Sequence, residues 1–386
     1  MLQRIKNLLW HPALVFAAAV LARFPARSMT VIGVTGTKGK SSVAEMLYEV
    51  FAAAGHKTAL ASGIHFAYPG HDESNRFKMT MPGRGFLQRF LAKARRAGAT
   101  HAIVELTSEG ALQSRHRFLF LDALVVTNIQ REHIEAHGSF EKYAAAKRGI
   151  VRALERSLKK RKVLIVNGDD TRTRAFLDDA RVPVKLTFEG AKLPGEFHEA
   201  NVHAAVALAK HFGIAQTAAE AAIRAMPQIK GRMEPVECGQ PFSVIVDYAH
   251  TPDSLEALYG AFPDRRKICV LGATGGGRDT WKRPEMGAIA ERECDDVILT
   301  DEDPYNEDPR KIVEEVAAGM KRPPRIIMDR REAIATALTL AKPNDVVLVS
   351  GKGTDPYIMK SGGEKLPWSD SAVAREELEK FIGKAV

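Results

Sequence analysis

The sequence is short of several things, and each shortage removes a class of protein. Three cysteines occur, Cys238, Cys269 and Cys294. They are scattered and form no CxxC pair, so neither a disulfide framework nor a zinc ribbon is expected, and a reducing cytoplasm is the simpler setting. No run of five or more basic residues appears; the densest cluster is Lys159-Lys160-Arg161-Lys162. Nucleic acid is therefore not expected as a partner. The formal net charge of +9 still favours anionic partners: nucleotides, acidic metabolites or an anionic membrane surface. The apolar run Ala13–Ala22 falls short of the roughly 20 residues that span a bilayer. With Arg4 and Lys6 before it and Arg23 and Arg27 after it, it has the outline of a signal peptide. A glycine-rich loop follows within ten residues, so residues 1–29 are expected to form an apolar helix that packs on the body or, through residues 1–27, touches the inner membrane face.

What is present is globular. The chain has 386 residues, 45% hydrophobic, 27% charged and 7% aromatic, which excludes a disordered, collagen-like or polytopic membrane protein and suits two or three domains. Short apolar runs such as Val31–Val34, Ala102–Val104, Ala123–Val126 and Val163–Val166 alternate with helical patterns such as Phe86–Arg96 and Tyr143–Leu158. A second set, Phe242–Val246, Lys267–Leu271, Asp296–Thr300 and Asp345–Val349, follows Pro227 with its own intervening helices. That alternation predicts two α/β units with mostly parallel sheets, the second starting near Arg232. Ligands of such sheets bind beyond the strands' C-terminal ends.

Gly33-Val34-Thr35-Gly36-Thr37-Lys38-Gly39-Lys40-Ser41 lies between a predicted strand and a predicted helix. Glycines there let backbone N–H groups converge on phosphate oxygens at a helix N-terminus. Lys40 can reach the β/γ-phosphates and the Ser41 hydroxyl can ligate Mg²⁺. The TGTxGKS pattern resembles the ATP loop of the Mur ligases and folylpolyglutamate synthases, which form amide bonds through acyl phosphates. The resemblance places ATP on Gly36, Thr37, Lys38, Gly39, Lys40, Ser41 and Ser42, with Lys38 where the family usually has Asn.

Glu105 closes a strand in a segment that resembles the family's EVSS, whose Glu binds Mg²⁺. Thr127-Asn128-Ile129-Gln130-Arg131-Glu132-His133-Ile134-Glu135-Ala136-His137-Gly138 resembles TNxxRDHxDxHG and implies a metal role for His133. Lys147 stands fourteen residues after His133, the spacing of MurE-type ligases, in which that lysine is carbamylated by CO₂. Only a neutral amine attacks CO₂, so such a lysine needs a depressed pKa. The resemblance thus implies catalytic roles for Lys40, Glu105, His133 and Lys147, and metal contacts from Ser41, Glu105, His133 and the Lys147 carbamate.

Further segments extend the likeness from about Val31 to Tyr357. Gly195–Asn201 resembles an adenine-side motif, with Asn201 matching and His198 replacing the usual first Asn. Gly231-Arg232-Met233-Glu234 resembles a junction motif whose Arg touches ATP phosphates. Asp247-Tyr248-Ala249-His250-Thr251-Pro252-Asp253-Ser254-Leu255 resembles the MurE-type DYAHTPDSL, whose Asp contacts ribose; folylpolyglutamate synthases carry a DGAHNP-like version. Thr80, Thr107, Gln113 and Arg115 match positions that hold the nucleotide-sugar peptide. His250, Arg278, Asp303, Tyr305 and Asp355 fall at acceptor positions. Diaminopimelate-adding relatives have Asp-Asn-Pro-Arg where this chain has Glu302-Asp303-Pro304-Tyr305, so loss of the arginine's bidentate fork disfavours diaminopimelate and leaves lysine or ornithine open.

The resemblance implies a central ATP-binding domain with a phosphate loop and mostly parallel sheet over residues 30–231. A Rossmann-like α/β C-terminal domain is implied over 232–386. Only about thirty residues precede the ATP loop, so the family's N-terminal uridine-diphosphate-holding domain is expected to be missing. The expected activity is ATP-dependent ligation of an amino acid to a UDP-N-acetylmuramoyl-peptide-like precursor in peptidoglycan biosynthesis, by a cytoplasmic monomer using Mg²⁺. The alternatives are a folylpolyglutamate-type or other peptide ligase of the superfamily, and a non-catalytic nucleotide-binding regulator.

Overall fold

The computed structural model describes residues 10–83, 85–132, 134–190 and 197–383. The described residues up to 190, with Phe197–Pro227, form one compact unit, and those from Gln228 onward form a second.

The first unit is built on β1 (Thr30–Thr35), β2 (Thr58–Ala61), β3 (His65–Tyr68), β4 (His71–Ser74), β5 (His101–Glu105), β6 (Ala123–Val126), β7 (Val163–Asn167) and β8 (Val184–Phe188). They make one sheet in the order β4-β3-β2-β5-β1-β6-β7-β8. Its pairs are parallel except β2–β3 and β3–β4. Helices α1 (His11–Leu21), α2 (Lys40–Ala53), α3 (Phe86–Arg96), α4 (Ser108–Leu112), α5 (Ile134–His137), α6 (Phe140–Glu155), α7 (Thr171–Asp179), α8 (Phe197–His211) and α9 (Gln216–Ala225) accompany it.

Two-residue alternation explains the layering. Val31, Val104, Leu124 and Leu164 face one core with Leu87, Phe90, Tyr143 and Ile150. Ile32, Ile103, Val125 and Ile165 face the other with Met46, Phe51, Ala204 and Leu208. A strand buried on both faces reads as an unbroken apolar run, which is why the parallel strands were legible. The chain leaves β1 toward β2 and β5 on one side and then crosses to β6 on the other. The crevice beyond the C-terminal end of β1 therefore lies where strand order reverses, the site such sheets offer to ligands.

The second unit contains β9 (Glu234–Pro235), β10 (Ser243–Asp247), β11 (Lys267–Leu271), β12 (Asp296–Leu299), β13 (Arg325–Ile326) and β14 (Val346–Ser350), in the order β13-β12-β11-β14-β10-β9. Only the short β9 edge is antiparallel. Its helices are α10 (Pro252–Gly260), α11 (Lys282–Glu293), α12 (Pro309–Ala317), α13 (Arg330–Leu340) and α14 (Asp370–Gly383), and a hairpin of β15 (Tyr357–Met359) and β16 (Lys365–Pro367) follows β14. Arg330 and Asp370, both fully buried, form a bidentate pair at 2.8 and 2.7 Å that ties α13 to the C-terminal helix.

One expectation is corrected. Cys269 and Cys294 form a disulfide, while Cys238 is a free thiol. Their 25-residue separation hid the pairing, because a strand and the end of the helix that follows it return to the same place in a βα unit. Among the described residues no helix is long and apolar enough to cross a membrane.

Candidate active site

The phosphate loop turns between β1 and α2, and the loop after β6 holds it in shape. Gly36 has φ of +147°, and a Cβ there would fall 1.9 Å from the Thr127 hydroxyl oxygen, so no other residue fits. Thr37 and Lys38 donate their backbone N–H groups to the Asn128 backbone carbonyl and side-chain Oδ1 at 2.9 and 2.8 Å. The Thr37 hydroxyl meets the Tyr143 hydroxyl at 2.7 Å and accepts from Gln130 N at 2.9 Å. Gly39, the residue before α2, lies against the Asn201 side chain, which brings that matched residue to the loop. Ser42 is half-buried in the first turn of α2.

Charged groups converge on this loop. Lys40 Nζ donates to the Thr37 carbonyl at 2.8 Å, and Lys38 pairs with Glu132 at 3.2 Å. Ser41 Oγ donates to Glu105 Oε2 at 2.9 Å, and the same oxygen accepts from Gly63 N at 2.7 Å. The point where Gly63 would carry a Cβ lies 3.2 Å from Thr80 Oγ1 and 3.3 Å from both Glu105 Oε2 and Ser41 Oγ. Glu105 and Ser41, hydrogen-bonded to each other beside the loop, offer hard oxygen donors of the kind that suit Mg²⁺ sharing its shell with phosphates and water. Among the described residues no cluster of three His, Cys, Asp or Glu side chains that could hold a metal ion exists.

Lys147 projects from α6 into the base of the loop. It is 1% exposed, and its Nζ donates to the Gly36 carbonyl at 2.6 Å. Burial, and then the nearby charge of Lys40, hold its amine well below the ordinary lysine range. His137 lies close enough that Lys147 adds to the effect of burial in depressing its imidazole, and its Nε2 meets Ser108 Oγ at 3.1 Å. His133 lies outside the described residues.

The residues matched to peptide binding have structural partners of their own. Thr107 caps α4 by accepting from Gly110 N at 3.1 Å. Arg115 donates to the Met81 carbonyl and to Gln113 Oε1, and packs over Gly83. Thr80 Oγ1 lies beside Gly63, whose N–H donates to Glu105.

In the second unit, Asp247 ends β10 and accepts from Met233 N at 2.7 Å and Ala249 N at 2.8 Å, while burial raises its carboxyl pKa. The Arg232 guanidinium lies 4.6 Å from the Tyr248 ring centre, and His250 Nδ1 meets the Tyr248 carbonyl at 2.6 Å. Asp355, burial, Arg278 and Arg232 all act on the Tyr248 hydroxyl, with a net rise in its pKa led by the Asp355 charge, which places these side chains around one ring. Tyr305 has φ of +51° and its ring covers Gly276. Asp303 is 3% exposed and accepts from Lys352 Nζ at 2.8 Å and Met359 N at 2.7 Å. It is thus a brace between β12, β14 and β15.

Sequence reasoning passed over Tyr143, Asn128, Glu302 and Lys352. Asn128 and Tyr143 stand inside the motifs that flagged His133 and Lys147, so their letters were available. Glu302 is 2% exposed, with Oε1 accepting from Thr274 at 2.6 Å and Oε2 buried without a hydrogen bond. Nothing in the spacing of an acidic pair announces which member turns inward.

A strand–loop–helix phosphate cradle, oxygen donors for a hard cation and a buried amine at its base define an ATP-using phosphoryl-transfer enzyme. Residues 34–213 match the Mur ligase middle domain and residues 231–353 the Mur ligase glutamate ligase domain. The UDP-N-acetylmuramyl-tripeptide synthetase of Roseiflexus sp. (strain RS-1) is 34% identical over 95% of this chain and 82% of its own length. The UDP-N-acetylmuramoyl-L-alanyl-D-glutamate--2,6-diaminopimelate ligase of Thermosynechococcus vestitus is 34% identical over 95% of this chain and 80% of its own. A solved diaminopimelate ligase of the same name superposes with a TM-score of 0.60 at 25% identity, covering 92% of this chain and 79% of that one. The chain belongs to the Mur ligase family, the ATP- and Mg²⁺-dependent amide ligases, and its relatives are of the MurE type.

Proposed function

We propose that the chain joins an amino acid to a carboxylate of a UDP-N-acetylmuramoyl-peptide-type precursor in peptidoglycan synthesis. A carboxylate oxygen of the precursor attacks the γ-phosphorus of ATP, ADP leaves, and an acyl phosphate forms. The amine nitrogen of the incoming amino acid then attacks the acyl carbon, phosphate leaves, and the amine gives up a proton as the amide forms. In this reading residues 30–231 bind ATP and the donor, and residues 232–386 present the acceptor.

Lys147 is the observation that carries the proposal. An amine shut away from water beside a phosphate loop, next to Lys40, is biased toward its neutral form. A neutral amine adds CO₂, releasing a proton and leaving a carbamate anion on a long arm. Ser41, Glu105 and that carbamate would hold Mg²⁺, with His133 as the fourth candidate, and the bound ion would supply positive charge against the phosphate oxygens. Lys40 would position the phosphates, and N–H groups of the loop would donate to the oxygens on which charge develops. The family resemblance would give Arg232 and Asp247 to ATP, and His250 and Arg278 to the acceptor.

The test is phosphate release by the purified chain with ATP, Mg²⁺, a panel of muramoyl-peptide donors and a panel of amino acids. Release should require a donor carboxylate and an amine together. ADP formation indifferent to both, or no release with any pair, would count against the proposal.

A further inference from the structure

Helix α1 reverses the usual order of a surface helix. Val15 and Ala19 are buried, and Ala18 packs against Gly85 at the start of α3. The side turned to water should then be polar. Instead it carries Trp10, Phe16, Val20 and Leu21, exposed by 62, 52, 46 and 85%, and no Asp, Glu, Lys or Arg occurs between Trp10 and Ala22.

This apolar stripe does not stop at the helix. The Phe16 ring lies 5.5 Å from Phe118, Phe118 5.9 Å from Phe24, and Phe24 6.2 Å from Phe120. Arg23, Phe24, Phe118 and Phe120 all have positive φ, between 45° and 61°. Strained backbone thus concentrates where the aromatic rings are held at the surface.

Cations border the stripe. The Arg27 guanidinium sits 5.0 Å from the Phe24 ring centre and 5.4 Å from Phe120. Lys159 Nζ donates to the Arg27 carbonyl at 3.1 Å, which brings the Lys159–Lys162 run alongside. In that run Lys160 and Arg161 are exposed, beside Leu158, which is itself 69% exposed. Arg27 and Lys159–Lys162 precede β1 and β7. They occupy the edge where the parallel strands begin, whereas the phosphate loop lies at the edge where they end.

We propose that this face docks on an anionic phospholipid bilayer. An interfacial helix needs an apolar side with large aromatic and aliphatic residues and cations positioned to meet anionic headgroups. Here a tryptophan stands at one end of the stripe and arginines and lysines at the other, a distribution that fits a headgroup layer above acyl chains. A protein groove would answer the apolar residues but gives no reason for the exposed basic run continuous with them. The basic end of the stripe thus lies at the edge opposite the phosphate loop.

The test is co-sedimentation of the full chain with vesicles of phosphatidylcholine alone or mixed with phosphatidylglycerol, across a salt series. Binding should need the anionic lipid and weaken with salt. Phe16→Ser with Val20→Ser and Leu21→Ser should reduce partitioning at least about tenfold while leaving ATP turnover in solution unchanged. Lys160→Ala with Arg161→Ala should reduce it severalfold and flatten the salt dependence. Trp10 emission should shift to the blue on adding anionic vesicles, and the shift should vanish in Trp10→Phe, with Trp281 and Trp368 as internal controls. Absence of binding to anionic vesicles at low salt would overturn the proposal. Equal binding to neutral vesicles would also overturn it, as would a dimer abolished by the triple substitution without any vesicle binding.

Discussion

Each unit hides a lysine from solvent, and the two are neutralised in opposite ways. Lys352 is 0% exposed and has a carboxylate waiting for it, Asp303 at 2.8 Å, with Asp355 at 3.6 Å. Lys147 is 1% exposed, donates to a carbonyl, and among the described residues has no carboxylate within ion-pair distance. Its nearest strong influence after burial is another cation, Lys40. A buried ion pair braces a fold, because each charge answers the other. The Lys147 amine is held by a carbonyl and the Tyr143 ring rather than by a paired carboxylate and is biased toward neutrality, which in the proposed reading makes it a reagent. The contrast separates scaffold from chemistry without reference to any motif.

Substitutions should expose that difference. Lys147→Met keeps the side-chain volume and should cut ligation by at least about a thousandfold, the upper end of what removing a preorganised charged group costs. The melting temperature should change little, since the cost of burying the amine is lost together with its hydrogen bond to the Gly36 carbonyl. Normal turnover in this variant would falsify the role given to the amine. Next in size, Lys40→Ala and Glu105→Gln should each lose about 10²–10³ in rate, roughly 3–4 kcal/mol of transition-state stabilisation. Single-turnover phosphate release measures both, and an unchanged Mg²⁺ requirement in Glu105→Gln would remove that residue from the ion's site.

Scaffold should fail differently. Asp303→Asn leaves Lys352 buried and short of a charge, and should cost about 3 kcal/mol of stability. Denaturant unfolding would show it as a lower midpoint, with any loss of activity following the loss of folded protein.

The same contrast governs what the letters could reveal. The strand–loop–helix at Gly33–Ser41 was legible from its glycines, while Glu105 and Lys147 were pointed to by the family resemblance, and the structure brings both to that loop. The parallel strands were legible because burial on both faces leaves an unbroken apolar run, as in Val31–Val34. The antiparallel extension β3–β4 was not, since His65–Tyr68 and His71–Ser74 are half polar and sit at the sheet's edge. The Cys269–Cys294 bond escaped notice because proximity in a βα unit does not show in spacing. Asp303, expected at an acceptor position, also accepts from Lys352 and Met359, contacts that no spacing announces.

Smaller again is a pH effect in the first unit. Burial, and then Arg117, hold His116 at about 4, below the ordinary 6.5, and its Nδ1 is buried without a hydrogen bond. The unfolded chain therefore binds this proton more readily than the folded one. Stability from this group is complete above about pH 6.5 and is lost progressively as pH falls toward 4. From 6.5 to 5 the change is about 1.5 units at roughly 1.4 kcal/mol each, or about 2 kcal/mol. His116→Gln should flatten that part of the stability–pH curve; an unaltered slope would mean the imidazole titrates normally.

The smallest expected effect concerns the acceptor. Tyr305 stands where the family resemblance implies a selecting arginine in diaminopimelate-adding ligases, and its ring is turned onto Gly276, held there by a positive φ and by its N–H to the Met359 carbonyl at 3.0 Å. A phenol offers no bidentate partner to a distal carboxylate, so diaminopimelate loses its distinguishing contact. Asp355 could favour a cationic side chain instead, but Lys352 at 3.6 Å already claims part of its charge. The preference for lysine or ornithine should then be modest, about 1 kcal/mol or roughly fivefold, in the range of partly exposed ion pairs. Equimolar competition among diaminopimelate, lysine and ornithine measures it directly. Asp355→Asn should level lysine against ornithine and neutral amino acids, whereas preferential incorporation of diaminopimelate by the unaltered chain would show that selection rests on residues other than Tyr305.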